Sequence, residues 1–130
     1  MPSDNDEYVR VAEFRSALRR FLRQTETVAR RAGLTPQRYL LLLMVKGAPD
    51  GSETSTVTEL SERLQLAQST VTELVGRAEQ AGLLIRRPSE VDARVAHVCL
   101  TEEGQRRLDE AFTTLETERE TLRATILNLE

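Results

Sequence analysis

The sequence is short of the residues from which small catalytic and metal sites are built. In 130 residues there is one cysteine, Cys99, and one histidine, His97. A single thiol excludes an intramolecular disulfide, and the pair leaves a Cys/His zinc site without ligands. No metal and no cofactor is expected. No Gly-rich phosphate loop and no G-x-S-x-G occurs, and no nucleophile is matched to a base, so no catalytic residues are assigned and the chain is read as a non-enzyme. Tryptophan is absent and only five residues are aromatic. The longest apolar run, Tyr39 to Val45, falls far short of the roughly 18 residues a membrane span needs. Met1 to Glu7 is acidic and polar, with neither the basic nor the apolar region of a signal peptide. The expected location is therefore cytoplasmic, with no membrane partner. Lysine is nearly absent too: Lys46 stands beside 17 arginines. Arginine is the better bidentate donor to phosphate or carboxylate, but a GC-rich coding sequence would give the same bias and is the preferred reading.

What is present reads as one domain, with 39% apolar and 30% charged residues. The net charge of −3 argues neither for nor against nucleic acid, because its distribution matters more than its sum. Residues 1–31 carry seven Arg against five acids, residues 56–100 five against six, and residues 101–130 four against eight. The acidity sits in the tail. Arg86, Arg87 and Arg94 form a basic group in the middle.

Periodicity gives the elements. Residues 7–32 read as a long helix, with Val11, Phe14, Leu18, Phe21, Leu22, Thr25, Val28, Ala29 and Ala32 at helical spacing and Gly33 as its stop. So long a helix in so small a chain is expected to meet something beyond its own core. Thr35-Pro36 opens a second helix expected to bury Leu40, Leu41, Leu43 and Met44. Thr56-Val57-Thr58-Glu59 is a capping box and starts a short helix with Leu60 and Leu64 inward. Another helix follows at about 68–80, with Val71, Leu74, Val75 and Ala78 as its buried stripe. Two short helices joined by a tight turn are a helix-turn-helix candidate.

Leu83 to Pro88 and Arg94 to Leu100 carry strand signals around a polar turn, and two such strands after a helix-turn-helix make a wing. In the tail, Leu108, Leu115, Leu122 and Leu129 recur every seven residues, with Phe112 and Ile126 between them and Arg119 as the interruption. With no Gly or Pro between 105 and 130, this is expected to be one long helix, or a long one with a short frayed remnant. Its seam needs a partner helix, either the first helix of the same chain or a second copy. The expected fold class is mainly α with a small β-wing: a winged helix-turn-helix over 34–100, with its wing at about 84–100, flanked by helices at 7–32 and 102–130.

Several stretches together are more specific than any one of them. Glu59-Leu60-Ser61-Glu62-Arg63-Leu64, Ser69-Thr70-Val71-Thr72-Glu73-Leu74-Val75 and Gly82-Leu83-Leu84 are followed by Asp92-Ala93-Arg94, then six residues on by Leu100-Thr101-Glu102-Glu103-Gly104. With Leu34-Thr35-Pro36-Gln37, the chain from residue 10 to about 115 resembles the MarR family of bacterial winged helix-turn-helix regulators. The resemblance implies an obligate homodimer in which the first and last helices are the dimer element. The residues concerned are Phe14, Leu18, Phe21, Leu108, Phe112, Leu115, Leu122 and Ile126. It implies a recognition helix at 68–80 in the major groove of double-stranded DNA and a wing in the adjacent minor groove. Two such helices one duplex turn apart read a palindrome.

Under that resemblance Gln68, Ser69, Thr70 and Thr72 are the candidate DNA contacts at the helix start, with Gln68 and Thr72 assigned to base edges. Arg77 is a phosphate candidate. Glu73 would repel phosphate, and either accepts from a cytosine or faces away. Ala67 stands where the family carries a capping Ser or Asp, which loosens the helix start. Arg94 corresponds to the wing-tip arginine that enters the minor groove, with Asp92 holding it by a salt bridge. Arg86 and Arg87 flank the wing, and strand alternation sends one of them to each face. Many relatives bind a small aromatic or phenolic effector between the dimer helices and the winged domain, and the candidate lining is Phe14, Phe21, Tyr39 and Phe112, with Arg15, Arg19 or Arg38 as the anion partner. The reactive cysteine of oxidant-sensing branches lies in the first helix, where this chain has none, so Cys99 and His97 are read as incidental. The implied function is a dimeric regulator, a repressor released from a palindromic operator by such an effector. The alternative is a winged-helix dimer acting through protein contacts without specific DNA binding, and the intact Asp92 and Arg94 argue against it.

Overall fold

The computed structural model describes residues 5–130, so Met1 to Asp4 of the acidic N-terminal stretch lie outside the described residues. The first element, α1 (Asn5–Arg31), is 27 residues long and spans about 40 Å. Gly33 ends it in the left-handed region (φ 79°), and the Leu34 N–H closes back on the Ala29 carbonyl at 2.9 Å. α2 (Pro36–Lys46) starts as expected, with the Thr35 hydroxyl accepting from the Arg38 N–H at 3.1 Å.

The buried residues of α2 differ from expectation. They are Tyr39, Leu41, Leu42 and Val45, whereas Leu40 is exposed and Leu43 and Met44 are half-buried. α2 is the central helix and is wrapped on several sides. A single apolar stripe therefore does not describe it, and its nearly uniform leucine run gave periodicity nothing to select.

α3 (Val57–Leu64) opens on the capping box: the Glu59 N–H donates to Thr56 Oγ1 at 3.1 Å and the Thr56 N–H to Glu59 Oε1 at 2.9 Å. Gln65 turns the chain in the left-handed region (φ 56°), and α4 (Gln68–Gln80) follows. Val71, Leu74, Val75 and Ala78 fix α4 to the core. The hairpin pairs β1 (Leu84–Pro88) with β2 (Ala96–Leu100), antiparallel, with Arg86 opposite Val98 and Arg87 opposite His97. β2 starts two residues later than the sequence suggested, because Arg94 belongs to a turn closed by the Val95 N–H on the Asp92 carbonyl.

Ser55 adds a bridge to the free edge of β2, exchanging two backbone hydrogen bonds with Val98. It is buried, and its hydroxyl accepts from Arg63 Nη2 at 2.7 Å.

The tail is two helices, not one: α5 (Glu102–Thr114) and α6 (Glu116–Leu127), meeting at Leu115. No Gly or Pro makes this break. Leu115 leaves the helical region (ψ 4°) while its side chain stays only 1% exposed. The Thr114 hydroxyl bonds back to the Glu110 carbonyl, a bond that bends helices. The bend turns α6 against α1. It also divides the leucine seam. Leu108 and Leu115 belong to the chain's own core, where no second copy can reach them, and this corrects their assignment as dimer residues. Leu122 is half-buried, while Phe112, Ile126 and Leu129 are exposed.

The start of α5 is clasped onto the end of α4. The Thr101 hydroxyl donates to the Gly82 carbonyl at 2.6 Å and accepts from the Gly104 N–H at 3.0 Å, while the Thr101 N–H reaches the Leu83 carbonyl at 3.1 Å. A Cβ on Gly104 would run into the Leu83 carbonyl oxygen. Gly104→Ala is therefore expected to cost about 1–3 kcal/mol in urea denaturation, the range of an overpacked core. Gly76→Ala, inside α4 where an added Cβ meets nothing, is expected to stabilise by about 0.5–1 kcal/mol. Equal effects at the two sites would contradict the clasp.

Candidate nucleic-acid interface

The first turn of α4 presents Gln68, Ser69, Thr70 and Thr72, all exposed, while Val71, Leu74 and Val75 hold the helix from behind. Ala67 makes no side-chain cap. The N–H groups of that turn therefore face outward together with the positive end of the helix dipole, an arrangement suited to a phosphate. One turn further on, Arg77 forms an ion pair with Glu73 along the helix. Glu73 is thus neutralised by its own helix. Each side chain of the pair is more than half exposed, so the contact orients Arg77 at little energetic cost.

The hairpin separates its two arginines. Arg86 lies on the face towards α4, its Nε donating to Glu79 Oε1 at 2.7 Å. Arg87 lies on the reverse face beside Cys99, in a pocket with Lys46 and the loop before α3. Of the two, only Arg86 borders α4.

At the hairpin tip, Asp92 and Arg94 form a closed fork. Asp92 Oδ1 accepts from the Arg94 backbone N–H at 3.0 Å and from its Nε at 3.2 Å, and Oδ2 accepts from Nη2 at 3.3 Å. The Arg94 side chain is nevertheless 90% exposed. Its charge is aimed by the fork but left open to an incoming anion. The arginine side chain, then its backbone N–H, hold the Asp92 carboxyl below the usual aspartate range.

The candidate effector pocket is only partly the one expected. An apolar pocket of about 320 Å³ lies between α1, α2 and the tail helices, with Phe21, Leu22, Tyr39, Leu40 and Phe112 among its walls. Phe14 does not line it, because it sits two turns up α1 from Phe21. Arg38 does not line it either, and the cation there is Arg119, which stacks 3.8 Å above the Phe112 ring. The signal for Arg119 was in the sequence, as the one charge interrupting an apolar seam. Burial pushes the Tyr39 hydroxyl pKa up, with Arg119 opposing the shift. Cys99 is half-buried, its Sγ 3.9 Å from the Ile85 carbonyl. Among the described residues, no group of three or more His, Cys, Asp or Glu is placed to hold a metal, and no helix is long and apolar enough to cross a membrane.

Residues 32–95, which hold α2, the helix-turn-helix and the hairpin tip, match the model of the MarR family. The chain belongs to the MarR family. It is similar to an organic hydroperoxide resistance transcriptional regulator of Bacillus subtilis strain 168. The two are 35% identical over 86 residues, 66% of this chain and 56% of that protein. It is also 34% identical over 80 residues to the HTH-type transcriptional repressor MdtR of the same organism, 62% of this chain and 49% of that one. The chain spans about half the length of the curated relatives it matches. The MarR fold extends over nearly the whole chain. A mutant MarR from E. coli, solved with operator DNA, superposes with a TM-score of 0.69 at 18% identity, over 92% of this chain and 85% of that one. AbsC from Streptomyces coelicolor superposes with 0.69 at 20% identity, over all of this chain and 84% of that one.

The fork gives a pH prediction. A carboxyl whose folded pKa is lowered contributes while it is ionised, and that contribution is lost as the pH falls through the lowered value. In a carboxyl-carbon NMR titration, Asp92 is expected to titrate below the ordinary aspartate range, and Arg94→Gln is expected to return it to that range. An ordinary value in the unmodified protein would mean that the fork is open in solution.

Proposed function

We infer that this MarR-family chain is a homodimeric DNA-binding transcriptional regulator, and specifically a repressor reading a palindromic operator. The observation that carries the reading is the Asp92–Arg94 fork: a guanidinium aimed by its neighbour yet 90% exposed at the tip of a hairpin. A surface ion pair of this kind adds little to stability, so its orienting effect is what needs a use. A narrow minor groove, with its concentrated negative potential, attracts such a side chain without base-specific bonds. The first turn of α4, with Gln68, Ser69, Thr70 and Thr72 around free N–H groups, supplies the major-groove element. Arg77 and Arg86 supply phosphate contacts beside it, and Arg87 is left to the reverse face. The operator DNA named for the E. coli structure and the repressor named among the relatives support the same assignment.

The dimer rests on apolar surface that the chain leaves uncovered. Val11 and Leu22 on α1, Ile126 and Leu127 on α6, Leu129 beyond it and Phe112 on α5 are all exposed. Phe14, Leu18, Phe21 and Leu122 are half-buried alongside. Release by a small effector is assigned to the pocket with Tyr39, Phe112 and Arg119, which suits an aromatic molecule carrying an acidic group.

Fluorescence anisotropy on the duplex upstream of the chain's own gene, at several salt concentrations, tests the DNA reading. Binding is expected to weaken steeply with salt, and Arg94→Ala to cost about 1–3 kcal/mol while the dimer persists. Unchanged affinity in Arg94→Ala would remove the wing from the account. In sedimentation, Ile126→Asp is expected to give a folded monomer and Leu115→Asp an unfolded chain, because only the second buries a charge in the core. A folded dimer from Ile126→Asp would place the interface elsewhere.

A further inference from the structure

A second pocket, of about 220 Å³, lies at the root of the hairpin on the face away from α4. Lys46 at the end of α2, the loop residues Ser52 and Thr54, and Arg87 and Cys99 from the two strands contribute its walls. The DNA reading uses none of these groups. Arg86 is tied to Glu79 on the α4 side, so alternation along β1 commits Arg87 to this side. Among the described residues the Arg87 side chain has no hydrogen bond and no ion pair. Lys46, the chain's one lysine, is 2.9 Å from Glu53. Glu53 itself stands in the left-handed region (φ 62°), which a residue with a Cβ seldom occupies. The pocket thus holds two cations and one carboxylate, and that carboxylate comes from a strained loop position.

We propose that this pocket binds a compact dianion, a phosphate group or a small dicarboxylate, and that Glu53 is the internal anion it displaces. Arg87 offers a planar fork that matches two oxygens of a carboxylate or phosphate. Lys46 offers a point charge, and the Ser52 and Thr54 hydroxyls lie on the same wall. Displacing Glu53 raises the local charge from one positive to two and frees Lys46 for the ligand. The volume is below the usual range for drug-sized ligands, so it admits a small acid and excludes a dinucleotide or a bulky aromatic. The site is separate from the apolar pocket of Tyr39 and Phe112, and the proposal does not depend on DNA binding.

Cys99, the only thiol, lines the pocket and reports on it. The test is the rate at which iodoacetamide, a neutral reagent, alkylates Cys99 in the full chain without DNA. The titrants are inorganic phosphate in one arm and succinate in another, with sodium chloride at matched ionic strength as the control. A several-fold slowing by at least one dianion, beyond the chloride control, is expected, and the arm that slows identifies the class. Arg87→Gln, folded by circular dichroism, is expected to shift the half-effect at least tenfold to higher concentration, and Glu53→Gln to shift it lower. Slowing equal to that in chloride, slowing that persists in Arg87→Gln, or weaker protection in Glu53→Gln would each overturn the proposal.

Discussion

Three backbone and side-chain bonds at Thr101 set the geometry of the winged half of the molecule. Its hydroxyl and N–H take the carbonyls of Gly82 and Leu83, and its hydroxyl also caps α5 through Gly104. At this one point the chain leaves α4, enters β1, leaves β2 and starts α5. Gly82 must adopt a positive φ to turn the chain there, and Gly104 must lack a side chain to approach. The hairpin is consequently anchored at its root, and its tip, with the Asp92–Arg94 fork, projects from a fixed base. A second ionic clasp holds the far end of α1 to the same helix: Arg107 donates to the Gly33 carbonyl at 3.0 Å and to Glu103 at 2.7 Å. With Arg106, then Arg107, donating to it, the Glu103 carboxyl is pulled down to about 2 and stays ionised through the neutral range.

The chain carries a net charge of −3, and beside the candidate interface its arginines are held by carboxylates. Three carboxylates of α4 and the hairpin are matched to arginines: Glu73 to Arg77, Glu79 to Arg86, Asp92 to Arg94. Each pair lies at the surface, where such contacts add little to stability. They hold the guanidinium groups in position, and each can be exchanged for a phosphate at small cost.

Elements with local chemistry were legible from the residues. The capping box at Thr56, the Thr35-Pro36 start and the buried stripe of α4 all rest on contacts within a few residues. What depended on distant contacts was not. The bend at Leu115 has no Gly or Pro to announce it, and it follows from the burial of Leu115 and the packing of α6 on α1. The heptad of leucines is regular in sequence but splits in space, half into the chain's own core and half onto its surface. Ser55 gives no strand signal, since one residue pairs with β2 there. In the apolar pocket between α1, α2 and the tail, Tyr39 and Phe112 were visible as aromatics, but the cation there is Arg119 and not Arg38, because only the bend brings Arg119 over the Phe112 ring.

The central claim is that α4 and the wing act as one DNA-reading unit in each of two copies. Hydroxyl-radical footprinting on duplexes selected from genomic fragments by the full chain tests it directly. The account predicts two protected segments about one helical turn apart, each flanked by protection in an adjacent minor groove. Failure to enrich any fragment, or uniform protection without that spacing, would contradict it.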